Sequence, residues 1–232
     1  MAVDDTYTKS LLHMDGADAS TTITDESGKT WTRAGDAQID TAQYKFGGAS
    51  GLFDGTGDYV STPDSDDFTV GNADFTIDCW FRPTAINQNS RLCAQLGASG
   101  LDATIGIVIS LNADESVSGY VQSGGTIYTA AVAAASYDVD TWYHVALIRY
   151  SDTLKLYLNG IAGATTANLT GVTVYNSTDS FVIGRAGSFN GGYYSGHIDE
   201  FRFSNGIARW TTSNFTPPTR AYGGGGQQVI IW

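Results

Sequence analysis

The stretch TWYHVALIRYSDTLKLYLNG, residues 141–160, decides the fold class. It opens with a run that alternates large apolar residues with others. Ser151-Asp152-Thr153 makes a short polar break, and a second run follows. In that second run Leu154, Leu156 and Leu158 fall on one face, with Lys155, Tyr157 and Asn159 on the other. A period of two with unlike faces is the mark of a half-buried antiparallel sheet. The run ends in Asn159-Gly160, a dipeptide suited to a type I′ hairpin because both central residues there need φ > 0.

Working outward, the same pattern recurs. DFTIDCWFRP, residues 74–83, puts Phe75, Ile77, Cys79 and Phe81 on one face and Thr76, Asp78, Trp80 and Arg82 on the other, and Pro83 closes it. SRLCAQLG, TIGIVISLN, FVIGR and GHIDEFRF read as further strands. GYVQSG and TIYTAAVAA read as a hairpin across Gly124-Gly125. AAVAAAS, residues 130–136, reads as strand or loop, and no segment carries strong helical periodicity. The expectation is one all-β domain over residues 1–222. After it Gly223 to Gly226 form a flexible tether, and QQVIIW ends the sequence, so residues 223–232 stand apart. Val229, Ile230, Ile231 and Trp232 read as a partner-binding arm that adds to the sheet edge of a neighbouring subunit, against a disordered tail or a last strand folding back.

The charge narrows the partners. With 24 acids against 12 bases the net charge is −12, a surface that repels phosphate backbones and anionic membranes. Nucleic acid is therefore not expected as a partner. No segment reaches the ~20 apolar residues of a membrane-spanning helix, so membrane insertion is not expected either. Nearly all the acids are Asp, the turn-building and calcium-binding one. Cys79 and Cys93 read as buried free thiols, which suits a reducing cytoplasm. MAVDDTYTKS has no signal-peptide core, so synthesis in a host cytoplasm without a signal peptide is expected.

Three elements in order, DFTIDCWFRP, TWYHVALIRYSDTLKLYLNG and GHIDEFRFSNGIARW, resemble the concanavalin A-like lectin/glucanase fold in its laminin G-like and pentraxin-like branch. The resemblance implies an all-β, two-sheet antiparallel jelly-roll sandwich. LLHMDG at 11–16 and GIARW followed by NFTPPTRAY look like the version found in bacteriophage virion and tail proteins. Fold does not settle function, because this architecture hosts lectins, hydrolases, lyases and adhesive modules.

The resemblance also implies a structural calcium ion between the first and last strands. Asp15 of LLHMDG and Asp199 of GHIDEF occupy the carboxylate positions, with the Gly47-Gly48 backbone as a carbonyl source. The bland alternative has Asp199 capping a turn or pairing with Arg202. His13, His144 and His197 are scattered, unlike zinc ligands, and read as structural. Glucanases of this fold carry a Glu-x-Asp-x-x-Glu run. None occurs here, and Glu26, Glu115 and Glu200 are far apart in sequence, so a non-enzyme is expected. Sugar binding would use aromatics beside polar groups. The loop SFNGGYYSG offers Phe189, Asn190, Tyr193 and Tyr194, whose alternative is packing onto the sheet rim or a neighbour. These readings together point to a virion structural or adhesive protein, a capsid decoration or tail component. It would contact itself as a homo-oligomer, other virion proteins or a cell-surface glycan. The alternatives are a free-standing carbohydrate-binding lectin and, less favoured, a polysaccharide-degrading enzyme.

Overall fold

The computed structural model describes residues 5–86, 89–97, 105–186 and 191–223. In chain order its strands are β1 Thr8–Leu12, β2 Thr32–Ala34, β3 Gln38–Asp40, β4 Ser50–Asp54, β5 Tyr59–Thr62, β6 Phe75–Pro83, β7 Ser90–Leu96 and β8 Ile105–Leu111. They continue with β9 Val117–Ser123, β10 Thr126–Val132, β11 Tyr143–Tyr150, β12 Thr153–Leu158, β13 Ile161–Ala162, β14 Ala167–Asn168, β15 Phe181–Ile183 and β16 Ser195–Asn205. Asp66–Phe68 forms a single 3-10 turn.

One sheet runs β13-β12-β11-β6-β16-β4-β3, with β1 also on β16 and β14 on β12. The other runs β10-β9-β8-β7-β15-β5-β2. All the pairings are antiparallel. The neighbours of β6 and β16 lie far from them in sequence, so the sheets are knitted by long crossovers, as in a jelly roll.

The alternation read from the sequence places the core. Phe75, Ile77, Cys79 and Phe81 of β6, Val145 and Leu147 of β11, and Leu154, Leu156 and Leu158 of β12 all enter the buried cluster between the sheets. On the facing sheet Ile107, Ile109 and Leu111 of β8 meet them. Gly119 of β9 leaves room for Leu147, whose side chain occupies the place a Cβ there would need. At the turn after β12 Asn159 has φ +50° and Gly160 φ +76°, the pair of positive values a type I′ hairpin requires.

The outer face of the first sheet departs from the alternation rule. Half-buried sheets expose one face, yet Thr76, Asp78 and Trp80 are as buried as their inward neighbours. Two segments cover them. Phe46 sets its ring edge-on to Trp80, and Lys45 lies 3.9 Å over the same ring. The return segment, residues 206–222, crosses the other half. There Trp210 and Phe215 stack at 4.1 Å and both rings meet His144 edge-on. Cys79 and Cys93 are buried free thiols, and burial pushes the Cys93 thiol up to about 12. The QQVIIW arm lies outside the described residues.

Candidate functional site

Cross-strand register sorts the outer-face side chains into rows. Asp199 of β16 is opposite Trp80 of β6, which is opposite His144 of β11. One step along, His197 is opposite Arg82. On the other side of Asp199 the register slips: Arg202, not residue 201, faces Asp78. The extra residue is a β-bulge, and Glu200 sits in it with φ +53°. The bulge lets Asp199 and Arg202 share the outer face while Phe201 and Phe203 enter the core.

Around this bulge the first and last strands meet. Asp199 is wholly buried, and its Oδ2 accepts hydrogen bonds from the backbone N–H of Lys45 at 2.8 Å and Phe46 at 3.0 Å. Its Oδ1 has no hydrogen-bond partner. Burial, with the nearby Glu200 and Asp15 charges, raises its carboxyl to about 7 against the pull of the two N–H donors. Asp15 is more exposed, and burial and Glu200 raise its carboxyl too. Gly47 has φ +68°, and any side chain there would drive into the Asp15 carboxylate, so this loop needs glycine. The structure therefore brings Asp15, Gly47 and Asp199 to one end of the sandwich. It gives Gly47 a role the sequence did not suggest, a seat for Asp15.

Glu200 belongs to the same cluster but is otherwise engaged. One oxygen holds His13 Nδ1 at 2.8 Å, and the other accepts the Tyr222 backbone N–H at 2.7 Å. Among the described residues no group of three His, Cys, Asp or Glu side chains forms a metal cage. The Asp15 and Asp199 carboxylates are hard-oxygen donors of the class that calcium takes. The telling feature is the buried Oδ1 of Asp199, an acceptor without a donor. Such an atom calls for an ion or a water.

Asp199 does not pair with Arg202, as one reading of GHIDEF had it. Arg202 donates to both oxygens of Asp78, each at 3.0 Å. His144 Nε2 lies 3.4 Å from Asp78, and the Tyr222 hydroxyl donates to the same carboxylate. His197 Nε2 lies 2.9 Å from Asp40. Each of the three histidines thus has a carboxylate beside it.

The sugar-binding expectation needs one correction. Tyr194 has no exposed surface. Its ring packs on Phe53 in the core and its hydroxyl donates to the His197 carbonyl at 3.1 Å. A side chain with no accessible face cannot stack on a pyranose. Tyr193 is half-buried. Phe189 and Asn190 lie outside the described residues.

Comparison with known proteins now fixes the family. A family model described as the laminin G type of the concanavalin A-like lectin/glucanases superfamily matches residues 54–210. The chain belongs to this superfamily. No curated protein matches it. Among solved structures this lectin-fold chain is similar to the binding domain of Paraclostridial Mosquitocidal Protein 1. The TM-score is 0.66 and the identity 14%, over 87% of this chain and 50% of that one. It is similar to the receptor binding domain of botulinum neurotoxin C/D mosaic serotype, with TM-score 0.64 and 12% identity, over 87% and 49%. The chain thus spans about half the length of these two. Domain 4 of AbnA, a GH43 extracellular arabinanase from Geobacillus stearothermophilus in complex with arabinotriose, gives TM-score 0.57 and 17% identity over 86% and 93%. At these identities the likeness is one of fold.

Proposed function

We propose that this chain is a non-enzymatic, lectin-like binding module of a bacteriophage virion, a capsid decoration or tail component. Its sandwich contacts neighbouring subunits or host-surface glycans. The observation that carries the binding role is membership of the concanavalin A-like lectin/glucanases superfamily across residues 54–210, taken with the absence of the Glu-x-Asp-x-x-Glu run from the sequence. In support, two similar structures are named as binding domains and a third was determined with a bound arabinose oligomer. The virion setting is supported by LLHMDG and by GIARW with NFTPPTRAY. Arg209 of the GIARW segment reaches the start of the sandwich, at Asp5 by 3.0 Å and at Thr8 of β1 by 2.7 Å.

In this reading a calcium ion at Asp15 and Asp199, with carbonyls of the 47–48 turn, joins the start of the sandwich to its end. It supplies positive charge to a chain of net charge −12 and a partner for the Asp199 Oδ1. It has no catalytic task.

A glycan array tests the binding role. Retention on at least one glycan, weakened in Tyr193→Ala, is the expected outcome. Silence across a broad array would leave only the subunit-contact half of the reading. Size-exclusion chromatography tests that half: the full sequence assembles, and deletion of residues 223–232 weakens assembly. Release of reducing ends from a polysaccharide panel would overturn the non-enzymatic reading.

A further inference from the structure

A second surface, remote from the Asp15–Asp199 end, has the features of a sugar subsite. On the outer face of the first sheet, β11 and β12 frame a groove of about 190 Å3. Ile148 and Tyr157, both buried, make its floor. Tyr150 flanks it with 46% of its surface exposed, and Lys155, in register with Ile148, flanks the other side. Thr211 of the return segment closes one end. The Tyr157 hydroxyl is already spent on the Thr212 carbonyl at 3.0 Å, which fixes that segment in place.

The lining selects a class of ligand. An exposed tyrosine next to an apolar floor of Ile148 and Tyr157 takes the C–H face of a ring. The hydroxyls of Ser151 and Thr211 at the rim suit a ring that carries hydroxyls. The space is below the roughly 300–1,000 Å3 of pockets that enclose whole drug-sized ligands, so it fits one ring and not a chain. Lys155 adds the deciding feature. Acids outnumber bases two to one in this protein, yet among the described residues no carboxylate lies within ion-pair distance of this ammonium. A cation left without a counter-ion beside a ring-sized groove fits a ring with one carboxylate. A polyanion would be repelled by the net charge of −12, whereas a single carboxylate at a glycan end meets the Lys155 ammonium, the nearby Asp152 carboxylate being already paired with Arg149 at 3.4 Å.

We propose that the groove between Tyr150 and Lys155 binds one terminal pyranose bearing a carboxylate. This rests on the glycan-binding reading above and adds the site and the sugar class. The probes are methyl β-glucuronide, the neutral methyl β-glucoside and sodium acetate, followed by saturation-transfer NMR and calorimetry. The glucuronide binds about tenfold more tightly than the glucoside, since a charge-assisted contact distinguishes them. Lys155→Met removes that preference. Tyr150→Ala weakens both sugars, and acetate alone does not compete. Thermal melts confirm that both variants fold, as their side chains are at least partly exposed. Equal binding of the two sugars, or displacement by acetate, overturns the carboxylate-sugar assignment. If Tyr193→Ala abolishes glycan binding while Tyr150→Ala and Lys155→Met leave it intact, this site falls and the glycan-binding reading stands. If no saccharide binds at all, both fall.

Discussion

Asp78 and Arg202 face each other across the β6–β16 pair, buried and joined by two parallel hydrogen bonds of 3.0 Å. The return segment is built onto this pair. Arg202 lies 3.9 Å beneath the Tyr222 ring, and the Tyr222 hydroxyl completes the Asp78 carboxylate. Removing one partner leaves a buried charge alone, so Arg202→Met should cost about 3–5 kcal/mol in urea unfolding. Replacing both with leucines should cost much less, because neither charge is then stranded. A double variant as unstable as the single would show that the pair does more than cancel itself.

The same pair sets the acid limit. Burial, the largest single influence, would raise the Asp78 carboxyl, but the Arg202 guanidinium and the His144 ring together outweigh it and hold the group well below the usual carboxylate range. Asp5, beside Arg209, is lowered as well despite burial. A lowered folded-state pKa means stability that is present above the unfolded value of about 4 and is lost as pH falls through the folded one. Carboxyls that are raised in the fold, such as Asp58 and Asp64, act with the opposite sign, adding stability as pH falls to the unfolded value of about 4, and lose their slope only once both states are protonated. Unfolding free energy should therefore drop steeply below about pH 4, and the leucine double variant should show a shallower drop. Urea titrations between pH 5 and pH 2.5 measure both.

Calcium should act through Asp199 and Asp15 together. In chelator, Asp199→Asn should not destabilise, because it removes a buried charge while its amide oxygen can still accept the Lys45 and Phe46 N–H groups. With calcium the order reverses. The unmodified protein gains up to about 2.7 kcal/mol at a hundredfold excess over Kd, and Asp199→Asn and Asp15→Asn gain little. Thermal melts with and without metal, plus elemental analysis, decide it. A calcium shift that survives both substitutions would place the ion elsewhere.

Period-two patterning made the sandwich legible, because the inward rows of β6 and β12 are apolar without a break and that of β11 is broken only near its end, by the buried Arg149. The outer rows were not legible. Asp78 and Trp80 read as a solvent face, and nothing local in DFTIDCWFRP tells that residues 206–222 return to cover them. The Glu200 bulge was equally hidden. It turns on a left-handed Glu, a conformation that sequence pattern does not announce. Tyr194 failed for a related reason: neighbours on an extended chain point opposite ways, so Tyr193 and Tyr194 could not both face outward. Asp15 and Asp199 were found through family resemblance, since no pattern links residues at opposite ends of a chain.

The two thiols give a direct check on core packing. Cys79 and Cys93 are both buried within the central cluster, and burial raises both thiols above their ordinary value. The thiolate is the reactive form, so neither should react with a disulfide reagent at pH 8 on the timescale of minutes. Both should react at once in denaturant. Fast labelling of the folded protein would mean that β6 and β7 open locally.

Gly160 offers the sharpest test of how the return segment docks. It has φ +76°, and a Cβ there would collide with the Phe215 carbonyl, whose own N–H donates to the Gly160 carbonyl at 2.9 Å. Gly160→Ala therefore strains the hairpin and lifts Phe215 off Trp210 at the same time. The backbone strain alone costs about 1–2 kcal/mol. Loss of the Trp210–Phe215–His144 contacts adds to it, since aromatic pairs contribute about 0.5–1.5 kcal/mol each beyond area burial. Unfolding free energy should fall by about 2–4 kcal/mol, with earlier proteolysis within residues 206–222 than elsewhere. A loss near 1 kcal/mol with unchanged proteolysis would show that the segment is held by Arg209 and Tyr222 without help from the Asn159-Gly160 turn.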